Sequence, residues 1–314
     1  MTQPDPTPLI ELATAYWGSA TLIAAVRLDV CTALSTGAAT AEEMAERLGS
    51  HLAATDCLLA GLVSLGLCTK TEGRYANSPL ADAFLVKGRP GFLGPALLYN
   101  GDVYPLWSEL HSVVQTGGVR LAPEQYLGDD ETRTRNFVYG MHHRALGIGR
   151  AVAQVIDLAG CERLADVGGG PGTYSALLTQ STPGLEAEVL DLPGVVAIST
   201  NIVASMGADR VRCTPFDYYT DALPGRYDAA LISGVLHREQ PEQVQAIMQK
   251  VADAVEPGGL LYISDVMLDD DRVGPLFGTM FALNMRVLSH DGRCHSVAEQ
   301  RAWLDGVGFE VQQV

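Results

Sequence analysis

The sequence predicts an α/β protein in two parts: a mainly helical, winged-helix-like domain over residues 1–116 that pairs subunits, then a doubly wound, Rossmann-like domain over residues 117–314. Three observations predict it. Apolar residues recur at three- and four-residue steps from Pro8 to about Gly118; strand-like and helical runs alternate beyond Gly160; and LADVGGGPGTYS, Leu164 to Ser175, crowds glycines into a turn after an apolar strand.

A chain of 314 residues is long enough for two domains and a large core. Its formal net charge of -16 opposes attraction to DNA, RNA or anionic lipid, so nucleic acid and membrane are not expected partners and a small ligand is. The six cysteines are scattered without a CxxC pair, which gives neither a disulfide framework nor a zinc signature; reduced thiols and no metal are expected. MTQPDPTPLIEL lacks a basic region ahead of an apolar run, and no segment is expected to reach the length of a membrane span. These features predict a soluble cytoplasmic protein.

Element by element, Ile10, Leu12, Ala13, Trp17, Ala20, Leu22, Ile23, Val26 and Leu28 make helices too apolar for a solvated surface, so a partner subunit is expected to cover them. TAEEMAERLGS opens on a capping box, Thr40 with Glu43, and ATDCLLAGLVSLGL is a further apolar helix. CTKTEGRYANSP follows, with Gly73 breaking it into a small hairpin. This is the order of a winged helix. A DNA-reading helix would be basic, whereas TAEEMAERLGSHLAATD carries one Arg against four acids, so the domain is read as a dimerisation unit.

GGVRLAPEQYLGDDE (117–131) reads as a linker, and one long helix is expected from Thr132 to Gly160. Strands are expected at RLADV, EAEVLDL, RVRCTPF, YDAALIS, GLLYISDV and FEVQQV, with helices between them; the early strands are nearly continuous apolar runs, as when helices cover both faces of a parallel sheet.

In such folds the ligand lies where the first strand feeds its helix, which is where the glycine turn sits. A phosphate P-loop needs a Lys after the glycines, and none is present. A dinucleotide fingerprint needs glycine where Thr173 stands; Gly168, Gly170 and Gly172 spell GxGxG instead. A phosphate-free, cationic nucleoside remains, and S-adenosylmethionine suits an acidic protein. Asp191, at the tip of the second strand, is placed to accept both ribose hydroxyls, the alternative being a helix cap ahead of Pro193. Asp217, ending the third strand beside Tyr218 and Tyr219, either holds the amine of adenine or is a loop acid.

With those residues in place the chain resembles the S-adenosylmethionine-dependent O-methyltransferases of family 2, the plant caffeic acid and bacterial antibiotic-tailoring type. LADVGGGPGTYS is similar to their cofactor loop, VLDLPGVV to the ribose segment, FDYYTDALPGRYDAALISGVLH to the stretch from adenine to catalytic histidine, and EPGGLLYISDVML to the fifth strand. The resemblance implies a class I methyltransferase domain and a homodimer. It implies cofactor contacts at Asp166, Gly168, Gly170, Gly172, Asp191, Leu192, Asp217, Tyr218 and Ser233, with His237 as catalytic base oriented by Asp265. An acceptor pocket is implied at Phe137, Met141, Arg144, Met285 and Ser289; the alternative for these is ordinary core. His142 and His143 are neighbours of that pocket or surface.

Departures accompany the resemblance. Cys294 stands where a second acid is usual, and Arg238 where aspartate is usual; Arg238 either lowers the basicity of His237 or faces solvent. The family closes with a strand hairpin after its last helix, whereas FEVQQV is the final strand-like run here. The expected reaction is methyl transfer to a phenolic or enolic hydroxyl of a small natural product. Its alternatives are C-methylation of an enolisable α-keto acid, with iron on His237, His290 and His295, a relative that binds the cofactor without transferring methyl, and a winged-helix regulator that senses it.

Overall fold

The computed structural model describes residues 4–118, 131–289 and 292–314; the proposed linker falls mostly outside them, as does His290. The chain divides into two compact units, Met1–Asp102 and Val103–Val314, a division ahead of the 116/117 boundary expected from the sequence.

In the first unit, helices α1 (Thr7–Thr14), α2 (Tyr16–Arg27), α3 (Val30–Leu34), α4 (Ala41–Leu48) and α5 (Leu52–Ser64) precede a hairpin of β1 (Cys68–Thr71) and β2 (Arg74–Asn77), then α6 (Pro79–Phe84) and the start of α7 (Gly94–Trp107). The capping box is present: Glu43 N–H donates to Thr40 Oγ1 at 3.3 Å and Thr40 N–H to Glu43 Oε2 at 3.1 Å. The hairpin loop, Glu72–Gly73, has positive φ at both positions, which matches the twist of the flanking strands. Met44, Leu59, Leu62 and Tyr75 form its buried core.

By contrast Leu9, Ile10, Leu12, Tyr16 and Trp17 are exposed, Leu12 at 73% and Trp17 at 60%. The expectation that no segment reaches spanning length is corrected here: the helical stretch Thr7–Arg27, 21 residues, is long and apolar enough by length and composition to cross a membrane. Glu11, with Thr, Ser and Gly among the apolar residues, interrupts any uncharged apolar run, so the spanning length shows only in the mean hydropathy.

The second unit holds α8 (Leu110–Thr116), α9 (Glu131–Val155), β3 (Arg163–Val167), α10 (Thr173–Ser181), β4 (Glu186–Asp191), α11 (Pro193–Ser205), β5 (Val211–Pro215), β6 (Tyr227–Ser233), α12 (Pro241–Ala254), β7 (Val255–Ser264), α13 (Leu276–Leu288) and α14 (Val297–Gly306). Its strands form one parallel sheet in the order β5-β4-β3-β6-β7. The order reverses between β3 and β6, and there the carboxyl ends of two adjacent strands part to leave a crevice. Val167 pairs with Leu190 on one side and Ile232 on the other, so both neighbours end level with the glycine turn.

Two expectations are corrected. FEVQQV is not a strand: Gly308 turns at φ 89°, Phe309 N–H returns to Leu304 O, and Phe309 packs on the core under Trp303 and Leu304. Packing of that half-buried ring outweighs its β-like pattern, and β7 stands at the sheet edge among the described residues. The long helix stops at Val155 rather than Gly160, because Asp157 Oδ1 takes the Ala159 N–H and competes with the helical ladder.

Candidate active site

The glycine turn needs bare backbone for two separable reasons. Gly168, Gly170 and Gly172 lie at φ 65°, 53° and 70°, the left-handed region that side chains resist. A Cβ on Gly168 would fall 2.5 Å from Val235 Cγ2, and one on Gly172 2.8 Å from Val203 Cγ2, so these two are required by the protein's own packing. Around Gly170 no atom lies within 4 Å of such a Cβ. This open face of main chain is what a ligand can approach.

Asp191 closes the turn. Its Oδ2 accepts the Gly170 N–H at 2.8 Å and its Oδ1 the Leu192 N–H at 2.7 Å. Each oxygen keeps a lone pair for another donor, as two ribose hydroxyls would require. Asp191 does not cap α11, whose N-cap residue is Leu192. Burial raises the Asp191 carboxyl, and the two N–H groups and the charge of Arg238 pull it back.

Beneath the turn, Asp166 is fully buried. Its Oδ2 accepts from Ser175 Oγ at 2.7 Å while Oδ1 has no partner among the described residues. Burial, reinforced by the charge of Asp191, pushes its carboxyl up to about 7 against the opposing Ser175 bond. A second support went unread in the sequence: buried His142 on α9 shares a 2.8 Å hydrogen bond through Nδ1 with Thr173 Oγ1, the first residue of α10. Burial and neighbouring His143 push His142 down to about 4, so it is neutral at pH 7. Nothing in its helical periodicity distinguishes it from His143.

Across the crevice β6 ends at Ser233, Gly234 turns at φ 69°, and a single 3-10 turn, Leu236–Arg238, presents His237. Asp265, just past β7, grips this turn. Its Oδ1 is hydrogen-bonded to His237 Nδ1, and its Oδ2 accepts the N–H groups of Leu236 at 2.9 Å and His237 at 3.3 Å. An acceptor at Nδ1 fixes the proton there and leaves Nε2 as the basic nitrogen. His237 is 11% exposed and Asp265 1%. The Phe281 ring, on α13, lies nearly perpendicular to the imidazole, with centroids 4.9 Å apart and planes at 83°.

The remaining sequence candidates lie on α9, on α13 and in the loops after β5 and α13. Phe137, on α9, packs with Val138, Val195, Ile202 and Leu192. Met141 is half-buried and Arg144 exposed on the same helix. Met285 is buried on α13, and the Ser289 N–H donates to its carbonyl at 2.8 Å. Asp217 Oδ1 accepts the Tyr219 N–H in a turn after β5, and Tyr218 packs on the sheet core. Cys294 is buried, and burial with the charge of Asp265 pushes its thiol up to about 12, so a neutral group replaces the usual second acid. His295 spends Nε2 on the carbonyls of Leu236 and Glu239, which removes that nitrogen from any metal.

In the first unit, an open groove of about 400 Å³ is walled by Glu42, Asp56, Lys70 and Tyr75. Three of these side chains are already joined to one another, Lys70 to Tyr75 Oη and Tyr75 Oη to Asp56, each at 2.7 Å. The chemistry belongs to the crevice of the second unit.

Comparison with known proteins agrees. The O-methyltransferase domain matches residues 108–310, and the O-methyltransferase dimerisation domain residues 10–87. The chain belongs to the O-methyltransferase family. This O-methyltransferase is 33% identical over 308 residues to the 3-hydroxy-5-methyl-1-naphthoate 3-O-methyltransferase of Streptomyces sahachiroi, over 96% of this chain and 89% of that protein. It is also 33% identical over 311 residues to the tetracenomycin polyketide synthesis 8-O-methyl transferase TcmO of Streptomyces glaucescens, over 97% and 91%. In fold it is like the human N-acetylserotonin methyltransferase solved in complex with SAM, with a TM-score of 0.88 at 24% identity, over 99% and 94% of the two chains. Most of the exposed apolar stretch Thr7–Arg27 lies within the matched dimerisation domain of the O-methyltransferase.

Proposed function

We propose that the protein, as a cytoplasmic homodimer, transfers the methyl group of S-adenosylmethionine to a phenolic or enolic hydroxyl of a small natural product, with His237 as general base. One observation carries the reading: the turn that bears His237 is seated on the glycine turn, Val235 filling the space that a Gly168 side chain would take. The base-bearing turn and the cofactor loop thereby pack directly on each other. The exposed apolar N-terminal helices supply a surface for the second subunit, and the six free cysteines suit a reducing compartment.

The residues present fit the cofactor. Asp191 keeps acceptor capacity for the ribose, the Gly170 backbone is open, and the Asp217 turn lies beyond the neighbouring strand for the adenine end. Bound there, S-adenosylmethionine supplies an electrophilic methyl group. Asp265 holds the His237 proton on Nδ1, so Nε2 is free to take the acceptor's hydroxyl proton. Phe281, packed perpendicular to the imidazole, limits its swing.

Magnitudes choose the acceptor. Complete proton transfer from a phenol, pKa near 10, to an imidazole near 6.5 costs roughly 5 kcal/mol; from an alcohol near 16 it costs about 13. A general base contributes roughly 10²–10⁴ in rate, whereas holding reactants in attack geometry is worth about 7–11 kcal/mol. Positioning dominates, and an acidic hydroxyl is required. The relative named for the 3-hydroxyl of a naphthoate has an acceptor of this kind.

A panel of phenolic natural products and enolisable α-keto acids, read by S-adenosylhomocysteine release, tests the proposal. Turnover on a phenol or enol hydroxyl is expected. Methyl transfer confined to carbon of the keto acids would overturn it.

A further inference from the structure

Glu239 is the unexplained residue beside the site. It follows His237 by two positions and is only 4% exposed, yet no cation lies within ion-pair distance of it among the described residues. An apolar residue would be cheaper to bury there. Its carboxylate is instead satisfied by phenols: Tyr218 Oη donates to Oε1 at 2.7 Å, and Tyr219 Oη reaches Oε1 and Oε2 at 2.9 and 2.8 Å.

Those tyrosines sit on the turn after β5, beside Asp217. Their rings lie 4.7 Å apart, and Lys250 Nζ binds the carbonyls of both, at 2.8 and 3.0 Å, fixing that turn on α12. The backbone of Glu239 belongs to the His237 turn. Its N–H donates to Leu236 O, and its carbonyl, with that of Leu236, accepts His295 Nε2 at 3.0 and 3.2 Å. His295 is itself buried, its ring nearly perpendicular to that of Trp303 with centroids 4.9 Å apart. The strand order puts β5 and β6 on opposite sides of β3 and β4. One carboxylate therefore ties the turn after β5 to the turn bearing the base.

We infer that Glu239 is a positioning residue that couples the two walls of the crevice, setting the adenine-side turn and the His237 turn together so that cofactor affinity and base placement change as one. The inference rests on the functional reading above. Loss of either partner leaves a buried group unpaired and releases both turns.

The test uses S-adenosylhomocysteine as the probe, titrated calorimetrically into the full chain. Glu239→Gln and the double variant Tyr218→Phe/Tyr219→Phe are each expected to weaken binding about tenfold, the weight of a lost hydrogen bond to a charged group. The combined triple variant is expected to be no worse than about twofold below either, because all three substitutions break one linkage. In the tyrosine variant, whose changes lie on the opposite wall, the Cε1–H NMR resonance of His237 is expected to move. A folded Glu239→Gln protein with wild-type affinity, additive losses, or an unmoved His237 resonance would overturn the inference. Should Glu239→Gln fail to fold, the tyrosine variant decides by itself, through its affinity and the histidine signal. Wild-type protein that does not bind the probe would instead defeat the functional reading on which the inference stands, and the inference with it.

Discussion

Asp265 holds the turn of His237 with both oxygens, Oδ1 on the imidazole Nδ1 and Oδ2 on the N–H groups of Leu236 and His237. An amide cannot serve both edges, since one orientation aims its NH₂ at backbone donors and the other at the ring N–H. Asp265→Asn is therefore expected to slow methyl transfer about a hundredfold, within the range of general-base effects. Steady-state kinetics on an accepted phenol check this; unchanged kcat would refute it.

Asp191 is the converse case, tied to Gly170 and Leu192 rather than to the base. Asp191→Ala is expected to weaken S-adenosylhomocysteine binding roughly 10–100-fold, as hydrogen bonds to a charged acceptor are lost. Asp191→Asn, which keeps one acceptor oxygen, falls between. A calorimetric titration identical to wild type would contradict the assignment.

Gly168 and Gly170 separate steric crowding from backbone strain. Alanine at 170 incurs only the left-handed φ, about 1–2 kcal/mol, whereas alanine at 168 adds a collision with Val235. Urea unfolding is expected to rank Gly168→Ala below Gly170→Ala in stability. Adding Val235→Ala to Gly168→Ala relieves the collision, and a double variant with no gain over the sum of the two single losses would sink this account.

Asp166 gives the stability a pH signature. In the unfolded chain it titrates near 3.9, but in the fold burial pushes it up to about 7. Between about pH 4 and 7 the unfolded chain gives up this proton while the folded chain keeps it, so stability falls as pH rises, by on the order of 4 kcal/mol at most, and levels off above 7. His142, pushed down to about 4, has the opposite effect, and its stability is lost as pH falls from about 6.5. Asp166→Asn removes only the first, so its stability relative to wild type is expected to climb across pH 4–7. A flat difference in cofactor-free denaturation would rule this out.

What the sequence revealed follows the range of its signals. Local grammar carried the Thr40–Glu43 cap, the Gly73 hairpin and the strands from Arg163 to Ser264, because each depends on residues a few positions apart. The glycine turn and Asp191 were readable through their spacing along two adjacent strands. Contacts across the fold were not. Phe281 against His237, His142 under Thr173 and Glu239 between two tyrosines join segments whose separation leaves no periodic trace. FEVQQV misled for the same reason, since its alternation is local but the packing of Phe309 is not.

The most direct measurement is the rate of methyl transfer from S-adenosylmethionine to an accepted phenol under single turnover, for wild type and His237→Ala, with cofactor affinity measured in parallel. The account predicts a loss of about a hundredfold or more in rate with affinity essentially unchanged. An unaltered rate in the variant would contradict it.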